Sequence, residues 1–553
     1  SGSAINGGCR SLSGTSVASP VVAGAVTLLA STIPVEKRAV YLNPASMKQA
    51  LVESATKVDK ASIFEQGAGN LNLFGAYRIL SQMTKRISIF PKHWDLTKAG
   101  GAYMWPHSTQ PIYYSAQPLI INATILNSMA VTGNVVNVAW EPSEHGECLS
   151  VHAEHASPIW PWAGFLGVFI TVTQHCATSS LIAKGQVRVT VRSPPTYGTA
   201  DWQESSAAMS FDVEIIPTPP RTKRILWDHY HNIQYPPGFF PRDNLAHRDY
   251  LDWNGDHPHT NFRGLYNKLK EKGYFLEILG QDYMCFDAAS YGALIIVDSE
   301  DNFRPEEVEK MHKDVTEKGL SLVILAEWYN PEVMKKIKFF DDNTQMWWTP
   351  QTGGGHAPGL NDLLKPFGAA LSTGVWKGNF NLGANHANVK SATSLVKFPK
   401  GGTIFRTSLQ DEASATIHGK GSNPTVPNVA LLGLMSAGSG RVAVYGDASS
   451  VDDKESDMSG WWVVEGLLEY ALSGVRPASM QDKPLASDYA PTEFGAPATY
   501  DRQFELHLYS RAEGPRPQCR DLSPIGTSLP PSPPSPSSLP PPASTGPSSK
   551  LPS

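Results

Sequence analysis

Gly14-Thr15-Ser16-Val17-Ala18-Ser19-Pro20 runs directly into Val21-Val22-Ala23-Gly24. From Val17 to Leu29 the chain is apolar on every side, which predicts a helix buried all round rather than one lying on a surface. A serine at the start of such a helix sits at the positive end of the helix dipole, among backbone N–H groups that lack intrahelical partners. Its own N–H can then help to hold an oxyanion during acyl transfer. Gly14 and Ala18 are small and let a peptide approach closely. Pro20 reads as a first-turn residue, where a missing backbone donor costs least. Ser16 is therefore the candidate nucleophile. A plain helix N-cap would explain a serine, but it does not require the flanking Gly-Thr and Val-Ala-Ser-Pro together.

Working outward, residues 1–85 read as helix-rich. Asn43-Pro44 opens a second helix running to about Thr56, with Pro44 in the first turn, and a short third helix lies between Gly67 and Leu80. From Ile87 the pattern changes. Ile120–Leu126, Val135–Ala139, Phe165–Thr173, Gln186–Val191 and Met209–Ile216 are β-branched or alternating runs separated by turn residues, the signature of a β-sandwich over 86–220. Pro217-Thr218-Pro219-Pro220 closes it. Over 221–475 strand and helix patterns alternate: strands at 225–228, 275–279, 293–298, 320–326, 429–434 and 441–445, helices at 262–272, 305–318 and 461–472. That rhythm predicts a parallel sheet covered by helices. The span 476–553 is expected to be a disordered Pro/Ser-rich tail, since about a third of its last thirty residues are proline. The fold class is multidomain α/β plus β.

The chain has 553 residues, too many for one ordinary core, and 41% of them are hydrophobic. A net charge of −5 argues against a general nucleic-acid binder. No run of eighteen apolar residues appears, so no membrane span is expected within the sequence. Residues 1–10 read as the middle of a loop, and the N-terminus is taken as a cut. Five cysteines show no C-x-x-C spacing; Cys148 and Cys176 flank a β-rich stretch and are a candidate disulfide, with two buried thiols as the alternative. Asn122-Ala123-Thr124 is a glycosylation acceptor in a secretory chain.

The block around Ser16 resembles the serine motif of the subtilase family. Gly7-Gly8-Cys9-Arg10, Asn43-Pro44-Ala45-Ser46-Met47, Trp160-Pro161-Trp162, Phe240-Pro241-Arg242-Asp243 and Leu251-Asp252-Trp253-Asn254-Gly255 extend the likeness to one branch of that family, over roughly 1–475. In that branch the first segment, 1–85, is the C-terminal part of a subtilisin-like domain. The α/β segment is similar to the glutamine-amidotransferase-like fold. The resemblance implies a serine endopeptidase of the Golgi and endoplasmic reticulum lumen. Its substrates would be proteins, namely membrane-anchored transcription-factor precursors, cut after sites with an upstream Arg and a nearby aliphatic residue. It also admits calcium, for which the sequence offers no recognisable ligands. Two departures accompany it. Subtilases order their triad Asp, His, Ser, so the Asp, the His and the oxyanion Asn are expected upstream of Ser1, and this stretch alone is expected to be inert. The branch ends in a membrane span and a basic tail, whereas this sequence ends in Ser and Pro. A non-catalytic binding protein built from the β and α/β domains is the alternative.

Other constellations are weaker. Asp228-His229-Tyr230-His231 and Asp256-His257-Pro258-His259 give two H-x-H pairs, but no Glu base accompanies them, so local hydrogen bonding is expected and no metal. Cys285 is flanked by Met284 and Phe286, too bulky for a nucleophile elbow, and reads as structural. Asp447, after the strand 441–445, reads as a turn residue.

Overall fold

The computed structural model describes residues 13–526 except 60, 62, 98–109, 198, 234–237, 247–248, 253–254, 420, 422, 457, 482–485, 488–492, 494 and 521. They fall into two compact units. One holds the described residues of 1–104, 120–216 and 523–553; the other holds those of 105–119 and 217–522.

In the first unit the nucleophile segment forms α1 (Thr15–Ser31), followed by α2 (Val35–Tyr41), α3 (Pro44–Ser54) and α4 (Leu73–Ser81). The start of α3 follows from its sequence. The Asn43 side chain accepts from the Ser46 amide, Ser46 Oγ accepts from the Asn43 amide, and Pro44 needs no partner at the first position. Leu29, Ile33, Met47, Ala50, Ala76, Leu80 and Met83 gather between these helices. The expectation that α1 is buried all round is not met. Only Ala25 and Leu29 are buried, and Val21 is 64% exposed. An apolar composition states what a helix tends to cover; the residues described here cover one face of it.

The sandwich packs two four-stranded sheets. β1 (Ile87–Phe90), β3 (Leu119–Asn127), β6 (Ala163–Val172) and β5 (Leu149–His155) form one; β2 (His93–Leu96), β8 (Gln203–Ile215), β7 (Leu181–Ser193) and β4 (Asn134–Pro142) form the other. Along β7, alternate residues Val187, Val189 and Val191 are fully buried, as period-two patterning requires. Trp140 and Phe211 stack at 5.1 Å in that core.

The second unit is built on a ten-stranded sheet. Its main path runs β10 (Phe275–Leu279), β9 (Arg224–Asp228), β11 (Ala293–Val297), β12 (Ser321–Leu325), β17 (Gly440–Tyr445), β16 (Thr425–Ala437), β15 (Thr403–Asp411), β13 (Trp376–Leu382) and β14 (Asn385–Ala392). Pairing from β10 to β17 is parallel. From β17 to β14 it is antiparallel, which corrects the all-parallel expectation. Helices α5 (Arg263–Glu271), α6 (Pro305–Thr316) and α7 (Trp461–Ser473) pack their apolar residues into the cores on the sheet.

Two expected boundaries shift. Residues 110–119, inside the span read as sandwich, pack on the α/β unit: Gln110 bonds the backbone of Tyr274 and Leu276, and the Gln117 amide donates to Glu277 at 2.6 Å. Described residues beyond 476, within the span expected to be a disordered tail, are packed. Phe504 and Leu506 are buried, the Ala498 amide donates to Leu371, and Ile525 adds a backbone bond to Val151 of the first unit's sandwich. Phe504 and Leu506 supply apolar anchors that a Pro/Ser average hides.

Candidate nucleophile segment

Gly14 is the N-cap of α1, with φ 147°, and Ser16 is the second helical residue. Ser16 is therefore not a capping serine. Its N–H belongs to the first turn, where amides have no intrahelical acceptor, and its side chain is exposed. Among the described residues nothing hydrogen-bonds its hydroxyl. Pro20 is the sixth residue of α1, not a first-turn residue as expected. It removes the amide that would otherwise meet the Ser16 carbonyl, so backbone constraint relaxes in the turn that carries the candidate nucleophile. Leu29, at the far end of α1, anchors the helix to the core at 1% exposure.

The other candidate residues of this unit have plain placements. Asn122 and Thr124 are on the exposed face of β3, and Ala123 between them is buried. Cys148, just before β5, and Cys176, just after β6, are joined by a disulfide with Cα atoms 5.6 Å apart. Cys148, His175 and Cys176 are the only three ligand atoms lying within 4.8 Å of one another among the described residues. Two of the three are consumed by the disulfide. Among the described residues of this unit no three carboxylates gather for the calcium that the subtilase likeness admits.

Comparisons with known proteins agree along the chain. The subtilase family model matches residues 1–69, the model described as "MBTPS1, third Ig-like domain" matches 90–218, and "MBTPS1, fourth GATase-like domain" matches 219–488. Membrane-bound transcription factor site-1 proteases of Mus musculus and Homo sapiens are 45% and 44% identical over 540 residues, 94% of this chain and 51% of theirs. The chain is similar to site-1 protease along nearly its whole length. Subtilisin-like protease SBT6.1 of Arabidopsis thaliana is 45% identical over 495 residues, 89% of this chain and 47% of its own. The chain thus spans about half the length of the site-1 proteases it matches. Among solved structures, the exo-β-1,4-mannosidase Op5Man5 of an Opitutaceae bacterium aligns with a TM-score of 0.23 and 10% identity, over 43% of this chain and 35% of its own, too low to carry an argument.

Within the unit that the GATase-like model matches, Cys285 is bonded to Cys519 and ends a 3₁₀ turn (Tyr283–Cys285), so its sulfur is not a free amidotransferase thiol. Sequence reading missed that pairing because Cys519 lies 234 residues away in the span taken for tail. The H-x-H pairs split. His229 and His257 stack edge to face at 4.7 Å, with His259 beyond, whereas His231 is buried between Asp228 (2.8 Å) and Glu307 (3.4 Å). Burial, with His229 and His259 alongside, pushes His257 down to about 3. Asp447 is a buried turn residue, accepting from Ser449 Oγ at 2.5 Å and the Ser450 amide at 3.0 Å. Among the described residues no single helix is long and apolar enough to cross a membrane.

Proposed function

We propose that this chain is part of a serine endopeptidase of the site-1 protease type, in which Ser16 attacks the scissile carbonyl. The observation that carries the reading is the setting of Ser16: an exposed hydroxyl in the first turn of α1, behind a glycine N-cap, where the amide has no intrahelical acceptor. In the mechanism a His takes the Ser16 proton and returns it to the leaving amine, while an Asp orients the His. Residues 1–15 contain neither Asp nor His, so both come from outside them, in keeping with the subtilase chain order. The Ser16 amide contributes one oxyanion donor. The exposed apolar side of α1 (Val17, Val21, Val22, Leu28) is then the side that the rest of a peptidase domain covers. We assign the substrates to membrane-anchored transcription-factor precursors, the compartment to the Golgi and endoplasmic reticulum lumen, and a glycan to Asn122.

Labelling with a fluorophosphonate probe tests this. The full-length protein is expected to label, Ser16→Ala to abolish the signal, and the 553-residue chain alone to stay unlabelled because its serine lacks a base. Equal labelling of both would remove the need for an upstream triad. Labelling that survives Ser16→Ala would move the nucleophile to another serine, and no labelling of the full-length protein would leave the non-catalytic binding reading.

A further inference from the structure

The parallel strands of the GATase-like unit end in acids. Asp298 follows β11 directly, Glu327 follows β12 by two residues, and Asp243 reaches the same place from the loop before α5. All three are buried, at 0%, 0% and 6% exposure. Glu327 Oε1 accepts from the Ala448 and Ser449 amides, both at 2.7 Å, but its Oε2 meets no donor. Among the described residues no donor group meets either oxygen of Asp298 or Asp243 Oδ2. The Asp298 carboxyl lies within hydrogen-bond reach of that of Asp243, so a proton on one of the pair can be shared with the other. Apart from that carboxyl–carboxyl contact, four carboxylate oxygens are turned inward with no donor group among the described residues, where one would already be an exception in a native core.

The backbone is committed to this arrangement. Asp298 has φ 49°, a left-handed conformation that a non-glycine residue adopts at a cost of order 1–3 kcal/mol and that clusters at functional sites. Gly354 and Gly355 back the carboxyls closely. A Cβ on Gly355 would lie 2.6 Å from Asp298 Oδ1, and one on Gly354 would lie 3.3 Å from Asp243 Oδ1. Asp243 also lines a small cavity with Asp256, Asn261 and Asp452, in which Asn261 Nδ2 donates to Asp256 Oδ1 (2.7 Å) and Asp452 Oδ2 (2.8 Å). Arg242 and Lys454 line that cavity too, while Asp298 and Glu327 do not, so it adjoins the three acids on the Asp243 side. Arg242, at the rim, is directed to Asp249 (3.8 Å) and Glu455 (3.9 Å). Burial first, then the neighbouring carboxylates, holds Asp243, Asp298 and Glu327 well above the usual carboxylate range, the response of acids that lack a counter-charge.

We propose that Asp243, Asp298 and Glu327 hold one hydrated divalent cation, of the hard, oxygen-preferring Ca²⁺ or Mg²⁺ class, at the C-terminal edge of the parallel strands. No three of these carboxylate oxygens crowd within one coordination sphere, so at most two bind directly and the rest through water, as hard cations accept. The site lies wholly in the GATase-like unit and does not depend on Ser16 being a nucleophile.

Terbium luminescence, excited through the protein's tryptophans after EDTA dialysis of the full-length protein, tests it. Trp328 provides a donor, since its indole and Asp243 both flank Gly354. A saturable component at pH 7, displaced by Ca²⁺ or Mg²⁺, is expected, and Asp298→Asn is expected to weaken it at least tenfold with the thermal midpoint in EDTA unchanged or raised. Ser16→Ala is expected to leave it alone. An Asp298→Asn protein binding terbium as tightly as the parent overturns the proposal, as does the absence of any displaceable component, which would mean that the acids hold protons instead. Should Asp298→Asn not fold, Glu327→Gln takes its place, and unchanged affinity there is equally fatal.

Discussion

Two groups of buried charge occupy the same edge of the α/β sheet and differ in one respect. The first, around His231, is balanced. Its Nδ1 meets Asp228 at 2.8 Å and its Nε2 meets Glu307 at 3.4 Å; Tyr283 OH donates to Asp228 at 2.9 Å, and the Arg304 amide donates to Glu307 at 2.9 Å. Arg304 in turn pairs with Asp282 at 2.9 Å. The second, Asp243, Asp298 and Glu327, contains carboxyls and no cationic side chain. Both groups are equally deep. Burial alone therefore does not decide their chemistry; the sign and count of the partners do. The first group is a finished piece of structure, and the second has the donor set of a binding site.

The largest expected effect separates them directly. Asp228→Ala leaves His231 and the Tyr283 hydroxyl without their acceptor in a dry core, and should cost about 3–5 kcal/mol, the usual penalty for breaking one partner of a buried pair. Asp298→Asn removes a carboxyl that accepts from no donor, and in EDTA should change stability by less than about 1 kcal/mol, in the stabilising direction. Urea unfolding of both variants at pH 7 reads the contrast. Equal losses would show that Asp298 has a partner after all, and the distinction between the groups would fall.

The pH dependence should differ next. Burial would lower the His231 imidazole, but Asp228 and Glu307 outweigh that and hold it up at about 10. Its folded value lies above the unfolded one, so its stabilisation is complete below about pH 6.5 and is lost as the pH rises towards about 10. Glu300, packed beside Asp298, is pushed up to about 8, chiefly by burial, with Asp252 and Asp301 raising it further against the Ile233 amide and Arg511. Its folded value is raised too, so stability falls as the pH climbs from about 4.5 to about 8. Unfolding free energies measured from pH 4 to 10 in EDTA should decline in two windows. Glu300→Gln should flatten the lower window alone, and a saturating divalent cation should flatten it as well. Loss of both windows in Glu300→Gln would mean that the two groups titrate as one.

The sequence announced one of these groups in part and the other not at all. His231 stood out with its nearer partner Asp228 in the Asp-His-Tyr-His run, though its second partner Glu307 lies 76 residues away. Asp243, Asp298 and Glu327 are single acids in ordinary contexts, brought together only when β11 and β12 pair and the loop before α5 folds over their ends. The parallel strands were legible because runs such as Leu294–Val297 and Leu322–Leu325 are purely aliphatic. β13 and β14 were not, because Trp-Lys-Gly-Asn-Phe-Asn-Leu and Asn-His-Ala-Asn-Val-Lys-Ser-Ala carry residues that disfavour strands and are specified by their pairing instead. Ser16 was legible as a motif, but not its exposure: local pattern fixes the helix and its N-terminal turn, whereas coverage of α1 depends on residues distant in sequence.

The smallest effect marks where the unbalanced group stops. Asp447 lies at the same sheet edge and bears on the Glu327 carboxyl, yet its own oxygens are met by Ser449 Oγ and the Ser450 amide. It should therefore behave like the His231 group. Ser449→Ala removes the hydrogen bond to Asp447 and the acceptor of the Lys390 amide (3.1 Å), and should cost about 1–3 kcal/mol, less than Asp228→Ala because no charge is left without a partner, the Ser450 amide still meeting the carboxylate. The same variant should leave terbium affinity within twofold of the parent, since the Ser449 amide that holds Glu327 Oε1 is backbone and stays in place. A tenfold loss would bring Asp447 into the cation's surroundings, and the line between balanced and unbalanced carboxyls would move from Glu327 to the end of β17.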